Sequence, residues 1–283
     1  MKTMLKYRST ILSYAVLILL LVLSFIPIIM MLSMSLRDTL SIYSDFWSMP
    51  WPIKWGNYSS AVLQLIMPSL RSVFICVASI GAILLLAAFS GYTFARLRFP
   101  GKSFLFLIVV MMMTVPSVLK LTPNFILAEW MHLRNTYWGL ILFYIGGGLL
   151  LAIFLIRSFF ESLPEEMFES ARIEGAGEYT CVWKLAVPLA RPIMITIAIL
   201  TFLNIYNDLI WPMLMLNSPK LHTLAMALQS FAPKSGAEGA EISRPDLGVM
   251  TAGYAFSSIP LLLLFMFGMK HFIAGLTSGA VKS

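Results

Sequence analysis

Charge is scarce in this chain. Only 12% of its 283 residues are Asp, Glu, Lys or Arg, against roughly 25% in an average soluble domain. With 59% hydrophobic residues and a mean hydropathy of +0.85, it has too little polar surface to wrap a water-soluble core. Cysteine is nearly absent: Cys76 lies in an apolar run and Cys181 in a polar loop, so neither a disulfide nor a metal site is expected. His132, His222 and His271 are far apart and form no HExxH or HxE pattern. No GxxxxGK[ST] phosphate loop occurs, so any ATP hydrolysis must come from another polypeptide. With no nucleophile–base pairing either, the chain is not read as an enzyme. The formal charge of +7 is scattered at the ends of apolar runs, without a contiguous basic face, which excludes nucleic acid as a partner. Ten-residue alternating strands are missing, which excludes a barrel and leaves helices as the way to cross a bilayer.

Six apolar runs are present, at about 11–35, 72–95, 103–127, 138–157, 192–214 and 248–269. A hydrocarbon core of about 30 Å needs about 20 helical residues, and each run reaches that length. The fold class is therefore all-α, a polytopic membrane protein with six transmembrane helices in one domain, 1–283. The first run is too long for a secretory h-region and no small-x-small cleavage site follows it, so it reads as a permanent helix in membrane lipid. Lys2, Lys6, Arg8, Arg96, Arg98, Lys102, Arg157, Arg172, Lys184, Arg191, Lys270 and Lys282 fall on one side of this topology. The other side carries fewer, so the positive-inside bias puts both termini in the cytoplasm. Trp47, Trp51, Trp55, Trp130, Trp138 and Trp211 fall near the expected outer boundary, as an interfacial belt would. Loops 37–70 and 217–247 then lie outside, and loop 161–188, between helices 4 and 5, lies inside.

That inner loop is the most informative segment. Ser162-Leu-Pro-Glu165 has the form of a capping box with proline in the first turn. Glu165, Glu166 and Glu169 sit toward the positive end of the helix dipole. Pro164, Met167, Phe168, Ala171 and Gly175 recur at helical spacing as one apolar stripe. Gly175 and Gly177 end the helix, and a second amphipathic piece over 179–185 leads to Pro188. Such a short, stiff helix can dock into a cleft on a soluble partner, or it can float at the lipid headgroups. Both readings stand on the residues alone.

Glu169-Ser-Ala171, Gly175 and Pro188 resemble the E-A-A…G…P loop of the membrane subunits of bacterial ATP-binding cassette (ABC) importers, with Ser170 in place of the usual first alanine and Leu185 in place of isoleucine. Gly91-Tyr-Thr-Phe-Ala-Arg-Leu-Arg-Phe-Pro-Gly101, Asn135-Thr-Tyr-Trp-Gly-Leu-Ile141, Tyr206-Asn-Asp-Leu-Ile-Trp-Pro212 and the terminal Gly275-Leu-Thr-Ser-Gly-Ala-Val-Lys282 are similar to the carbohydrate branch, specifically the shorter maltose-type permease subunit. Tyr206 stands where relatives often have tryptophan. The resemblance implies a permease in the bacterial cytoplasmic membrane that imports a sugar or oligosaccharide. Its partners would be a homologous second permease subunit, two copies of a cytoplasmic ATPase and an extracellular solute-binding protein. This chain would bind no cofactor; ATP and Mg would sit on the ATPase. Met167, Phe168, Glu169, Ser170, Ala171, Gly175 and Pro188 would dock that ATPase, and the tail residues Leu276, Thr277, Ser278, Gly279 and Lys282 would touch it. Loop 217–247 would reach the binding protein.

Ionisable groups inside apolar runs are costly and invite functional readings. Asn207 and Asp208 would line the translocation path or cap a helix break ahead of Pro212, and the structural or gating role is favoured. Lys120, between Pro116 and Pro123, would snorkel outward or line the water-filled side. Gly146-Gly-Gly148 reads as close helix packing. The competing classes are an ion-coupled secondary transporter and an ABC permease for a solute other than sugar. The former should show paired broken helices and matching buried acids, and the first half of the chain offers no acid to match Asp208.

Overall fold

The structure is a computed structural model and describes residues 2–229 and 246–280, with side-chain surroundings described for 12–229 and 246–269. Every regular element among the described residues is helical. In chain order these are α1 (Lys2–Ser35), α2 (Thr39–Ser44), α3 (Gly56–Arg96), α4 (Lys102–Thr114), α5 (Ser117–Trp130), α6 (Trp138–Glu161) and α7 (Glu165–Ile173). They continue with α8 (Glu178–Thr180), a π-helical segment Cys181–Ala186, α9 (Val187–Leu189), α10 (Arg191–Tyr206), α11 (Ile210–Met215), α12 (Leu224–Gln229) and α13 (Leu247–Ala280).

Four helices are long and apolar enough to cross a membrane unbroken, over Leu12–Ser35, Gly56–Arg96, Trp138–Glu161 and Leu247–Met269. Two more spans arise only if a sharply bent helix pair counts as one: α4 with α5 (104°) and Glu178–Leu189 with α10 (75°). The six apolar runs are all helical, but two of the expected helices are not single rods. The run 103–127 breaks at Val115–Pro116, because a residue before proline is pushed out of the helical region; Val115 has ψ 118°. Alone, the 13 residues of α4 span about 20 Å at 1.5 Å per residue, short of a bilayer core. The run 192–214 stops at Tyr206 and resumes at Ile210.

Other boundaries also move. Helix α3 has 41 residues and starts at Gly56, so residues 56–70, expected in an outer loop, are helical. Helix α6 extends to Glu161, and α13 carries Leu276–Gly279 within its last turns. Trp47, Trp51, Trp55, Trp130 and Trp138 are exposed, as a belt requires, but Trp211 is buried and its indole N–H donates to the Gly139 carbonyl at 3.2 Å. It packs the protein instead of facing the interface.

The chain forms two compact units. One comprises residues up to Ile66 with Leu228–Ile259. Within it the Arg37 guanidinium is buried and donates to the carbonyls of Ser41, Asp45 and Phe46 and to Ser48 Oγ, which folds 37–48 around it. Asn57 Nδ2 ties the end of α1 to the start of α3 through the Ser35 and Arg37 carbonyls, at 3.0 and 2.8 Å.

The second unit comprises Met67–Ala227 with residues from Pro260 on. Its core joins the C-terminal half of α3 to α6, α7, the π-helical segment and α10 through Ile83, Tyr92, Ile156, Phe160, Phe168 and Val182. Helices α3 and α6 come so close that a Cβ on Gly91 would lie 2.7 Å from Ile156 Cγ2.

Candidate functional site

The loop 161–188 is built by three helix ends. Helix α6 stops at Glu161, and the Ser162 hydroxyl donates back to the Phe159 carbonyl at 2.7 Å. The expected capping box therefore does not form: Pro164 occupies the N-cap without a side-chain bond, and the Glu165 carboxylate is taken by Arg96. Helix α7 runs Glu165–Ile173 and ends in a Schellman turn, with Gly175 N–H donating to the Arg172 carbonyl (3.0 Å) and Ala176 N–H to the Ala171 carbonyl (2.9 Å). Gly175 has φ +86°, the left-handed region that only glycine adopts without strain. The chain then reverses through Gly177 into α8 and the π-helical segment, where Pro188 sits half-buried in α9.

The two faces of α7 differ. Phe168 is fully buried and Met167 and Ala171 pack beside it on the core, a burial of the aromatic ring that stabilises the loop by about 2–3 kcal/mol. Phe168 anchors the helix in its own subunit, and Met167 and Ala171 lean the same way. Glu166, Glu169, Ser170 and Ile173 face outward, and Ile173 is 87% exposed. Two carboxylates thus flank a bare aliphatic tip.

Four residues not picked out as site residues from the sequence hold this loop: Tyr92, Arg96, Arg172 and Glu178. Arg96, the last residue of α3, donates to the Phe160 and Leu163 carbonyls and to Glu165, and stacks on the Phe168 ring at 4.4 Å. One turn earlier, the Tyr92 hydroxyl donates to Glu178 Oε2 at 2.5 Å. Arg172 Nε donates to Glu178 Oε1 at 3.0 Å. Burial works against the Glu178 carboxylate, yet the hydrogen bonds from Tyr92 and Arg172 and the guanidinium charge outweigh it and hold its pKa below the ordinary value. The signal available in the sequence was Tyr92 and Arg96 at i and i+4, which place two polar groups on one helix face.

The break 207–209 forms a second arrangement. Asp208 Oδ1 accepts from the Ile210 N–H at 3.1 Å, and Oδ2 accepts from the Tyr144 hydroxyl at 2.8 Å. Asn207 Nδ2 donates back to the Leu203 carbonyl at 2.9 Å, and Pro212 is buried in α11. Asn135 Oδ1 accepts from the backbone N–H of Asn217 and Ser218, both at 3.1 Å. The Trp211 indole N–H on the Gly139 carbonyl joins the segments 135–141 and 206–212. Lys120 is not part of it: its Nζ donates to the Met112 carbonyl at 3.2 Å, satisfying a group freed where α4 ends. Leu276, Thr277, Ser278 and Gly279 lie in α13, where only the backbone is described, and Lys282 lies outside the described residues, as does most of the loop after 229. Among the described residues no three His, Cys, Asp or Glu side chains gather as a metal site.

Four unbroken apolar helices and two bent pairs, with an anchored amphipathic loop, define a multi-pass membrane protein. Residues 83–278 match the family described as the binding-protein-dependent transport system inner membrane component, and the chain belongs to it. The match spans both the loop and the broken helix. The chain is 28% identical over 277 residues to the diacetylchitobiose uptake system permease protein NgcG of Streptomyces coelicolor, covering 97% of this chain and 90% of that protein. It is 32% identical to the trehalose transport system permease protein SugB of Mycobacterium tuberculosis (91% and 92% covered). Against the maltodextrin transport system permease protein MdxG of Bacillus subtilis the figure is 33% (68% and 67%). Its fold is similar to a chain in the crystal structure of a bacterial ABC transporter involved in the import of the acidic polysaccharide alginate, with a TM-score of 0.84, 21% identity and 94% and 97% of the two chains covered. The chain is a permease subunit of the bacterial cytoplasmic membrane, as the E-A-A-like loop led one to expect.

Proposed function

We propose that this subunit forms, with a homologous second permease, the path by which a sugar or oligosaccharide enters the cell. Two copies of a cytoplasmic ATPase supply the motion, and an extracellular solute-binding protein delivers the cargo. Both termini and the loop 161–188 face the cytoplasm, as the basic residues at the helix ends favour. The sugar assignment draws its support from relatives named for diacetylchitobiose, trehalose and maltodextrin. The observation that carries the coupling role is the outward face of α7: Glu166, Glu169 and Ser170 beside Ile173, on a helix whose opposite face is buried. A helix that floated on lipid would turn its apolar side to the headgroups; this one turns its apolar side inward and shows acids, which anionic lipid repels.

In this reading Glu169 pairs with a basic group of the ATPase and Ile173 enters an apolar cleft, while Leu276–Gly279 and Lys282 make a second contact. This chain binds no cofactor of its own and catalyses no reaction. The direct test is purification of the tagged subunit from its native membrane. An ATPase and a second permease are expected to accompany it, and proteoliposomes of the complex with the binding protein should accumulate oligosaccharide only with internal ATP. Ion-driven uptake by the lone subunit would overturn the proposal.

A further inference from the structure

One face of the last turns of α3 touches the loop 161–188. Phe89 packs on Tyr179 and Trp183, with ring centroids 6.1 and 5.6 Å away. Tyr92 bonds Glu178 and packs against Phe168, and Arg96 bonds Glu165 and the carbonyls that end α6. These positions, i, i+3 and i+7, share a helix face. They grip the loop on both sides of its glycine turn, since Glu165 opens α7 and Glu178 follows Gly177.

We propose that Phe89, Tyr92 and Arg96 form a clamp that makes the inner loop and the end of α3 move as one body, so that a push on α7 is delivered to α3. This rests on the coupling role proposed above. Gly175–Gly177 is the natural hinge of the loop, yet Arg172 before it pairs with Glu178 after it, which closes that hinge. The Arg96 side chain is 5% exposed. To free α7 from α3, a guanidinium would have to leave two carbonyls, a carboxylate and an aromatic face at once, and a buried charge stripped of its partners is costly. Arginine suits the place because its planar fork meets several acceptors together, which a lysine ammonium cannot do. Arg96 is thus a positioning residue: it touches no partner and acts through α7.

The experiment uses the assembled transporter with spin labels at Arg98→Cys and Glu174→Cys, both exposed positions; the native Cys76 and Cys181 are buried. The distance between the labels is expected to be narrow and to stay the same with and without ATP. In Arg96→Gln the distribution should broaden, and the ATP consumed per solute imported should rise by about fivefold or more, the scale of a lost coupling energy. Arg96→Lys should fall between, because charge returns without the fork. If Arg96→Gln does not assemble, Tyr92→Phe, which removes one hydrogen bond and keeps the ring, should show the same two changes more weakly. A wild-type distance that shifts on ATP binding, or an unaltered ATP-to-solute ratio in the Arg96 and Tyr92 variants, would overturn the clamp. The same label pair read in the isolated subunit separates this inference from the one beneath it. Failure to bind an ATPase would strike the coupling role, whereas a broad distance in the unmodified isolated subunit would strike the clamp.

Discussion

The Tyr144 hydroxyl donates to Asp208 Oδ2 at 2.8 Å, joining α6 to the break between α10 and α11. The other Asp208 oxygen accepts from the Ile210 N–H, so both carboxylate oxygens are engaged in holding the break. Asp208→Ala should lower the stability of the purified subunit by about 1–2 kcal/mol, the usual cost of losing a cap, and Tyr144→Phe by about 1 kcal/mol. Thermal unfolding in detergent, followed by tryptophan fluorescence, measures both. Equal melting of Asp208→Ala and wild type would show that the carboxylate does not hold the break.

The three adjacent glycines of α6 make a sharper internal comparison. A Cβ on Gly148 would lie 2.7 Å from Ile83 Cδ1, whereas Gly146 and Gly147 have nothing within 4 Å. Gly148→Ala should therefore destabilise by about 1–3 kcal/mol through overpacking. Gly146→Ala and Gly147→Ala should be neutral or stabilise by about 0.5–1 kcal/mol through lost chain entropy. Matching melts for all three variants would refute close packing at this site.

These glycines show where the sequence could be read and where it could not. Run length and composition locate the six apolar segments because lipid forces backbone hydrogen bonds inside each helix. The same periodicity does not report a bend, and the stop at Pro116 was visible only as a proline within a long run. The loop glycine was legible because a left-handed turn demands that residue type. Glu169 and Ser170 were picked out by the resemblance to the E-A-A loop, and the stripe through Phe168 by spacing, but not the side that stripe faces, which depends on what else is present. Arg96 and Glu178 were opaque for a related reason: their partners lie 69 and 86 residues away, and a basic residue at a helix end reads first as topology. The capping box failed by the same competition, because Glu165 found a guanidinium more favourable than a backbone N–H.

Acid should loosen the loop through Glu178. Its folded pKa lies below the ordinary 4.5. The stabilisation is therefore fully present above about pH 4.5 and is lost as pH falls through the lowered value. A nitroxide at Glu174→Cys should become more mobile over that acidic range and stay immobile from there to neutrality. With Glu178→Gln the label should be more mobile already at neutral pH and show a smaller acid response. If mobility rose instead between pH 6 and 8, a group other than Glu178 would control the loop.

Docking and coupling can be separated with two substitutions, one on the exposed face of α7 and one in the Schellman turn. Glu169→Ala removes an outward carboxylate without disturbing the buried face, so ATPase affinity in detergent should fall by about 1–3 kcal/mol, the range of a charge-assisted hydrogen bond, while the subunit melts as before. Gly175→Pro acts on the turn. Proline fixes φ near −65° where the chain needs +86°, and it deletes the N–H that bonds the Arg172 carbonyl. Insertion into the membrane should be unaffected, because the apolar spans are untouched, while ATP-driven uptake into vesicles should be abolished. Adding Glu178→Gln to Gly175→Pro should then do little further harm, since the pair Arg172–Glu178 closes a turn that no longer exists. Full uptake by Gly175→Pro would mean that the loop's shape is irrelevant to transport, and that force enters the permease elsewhere.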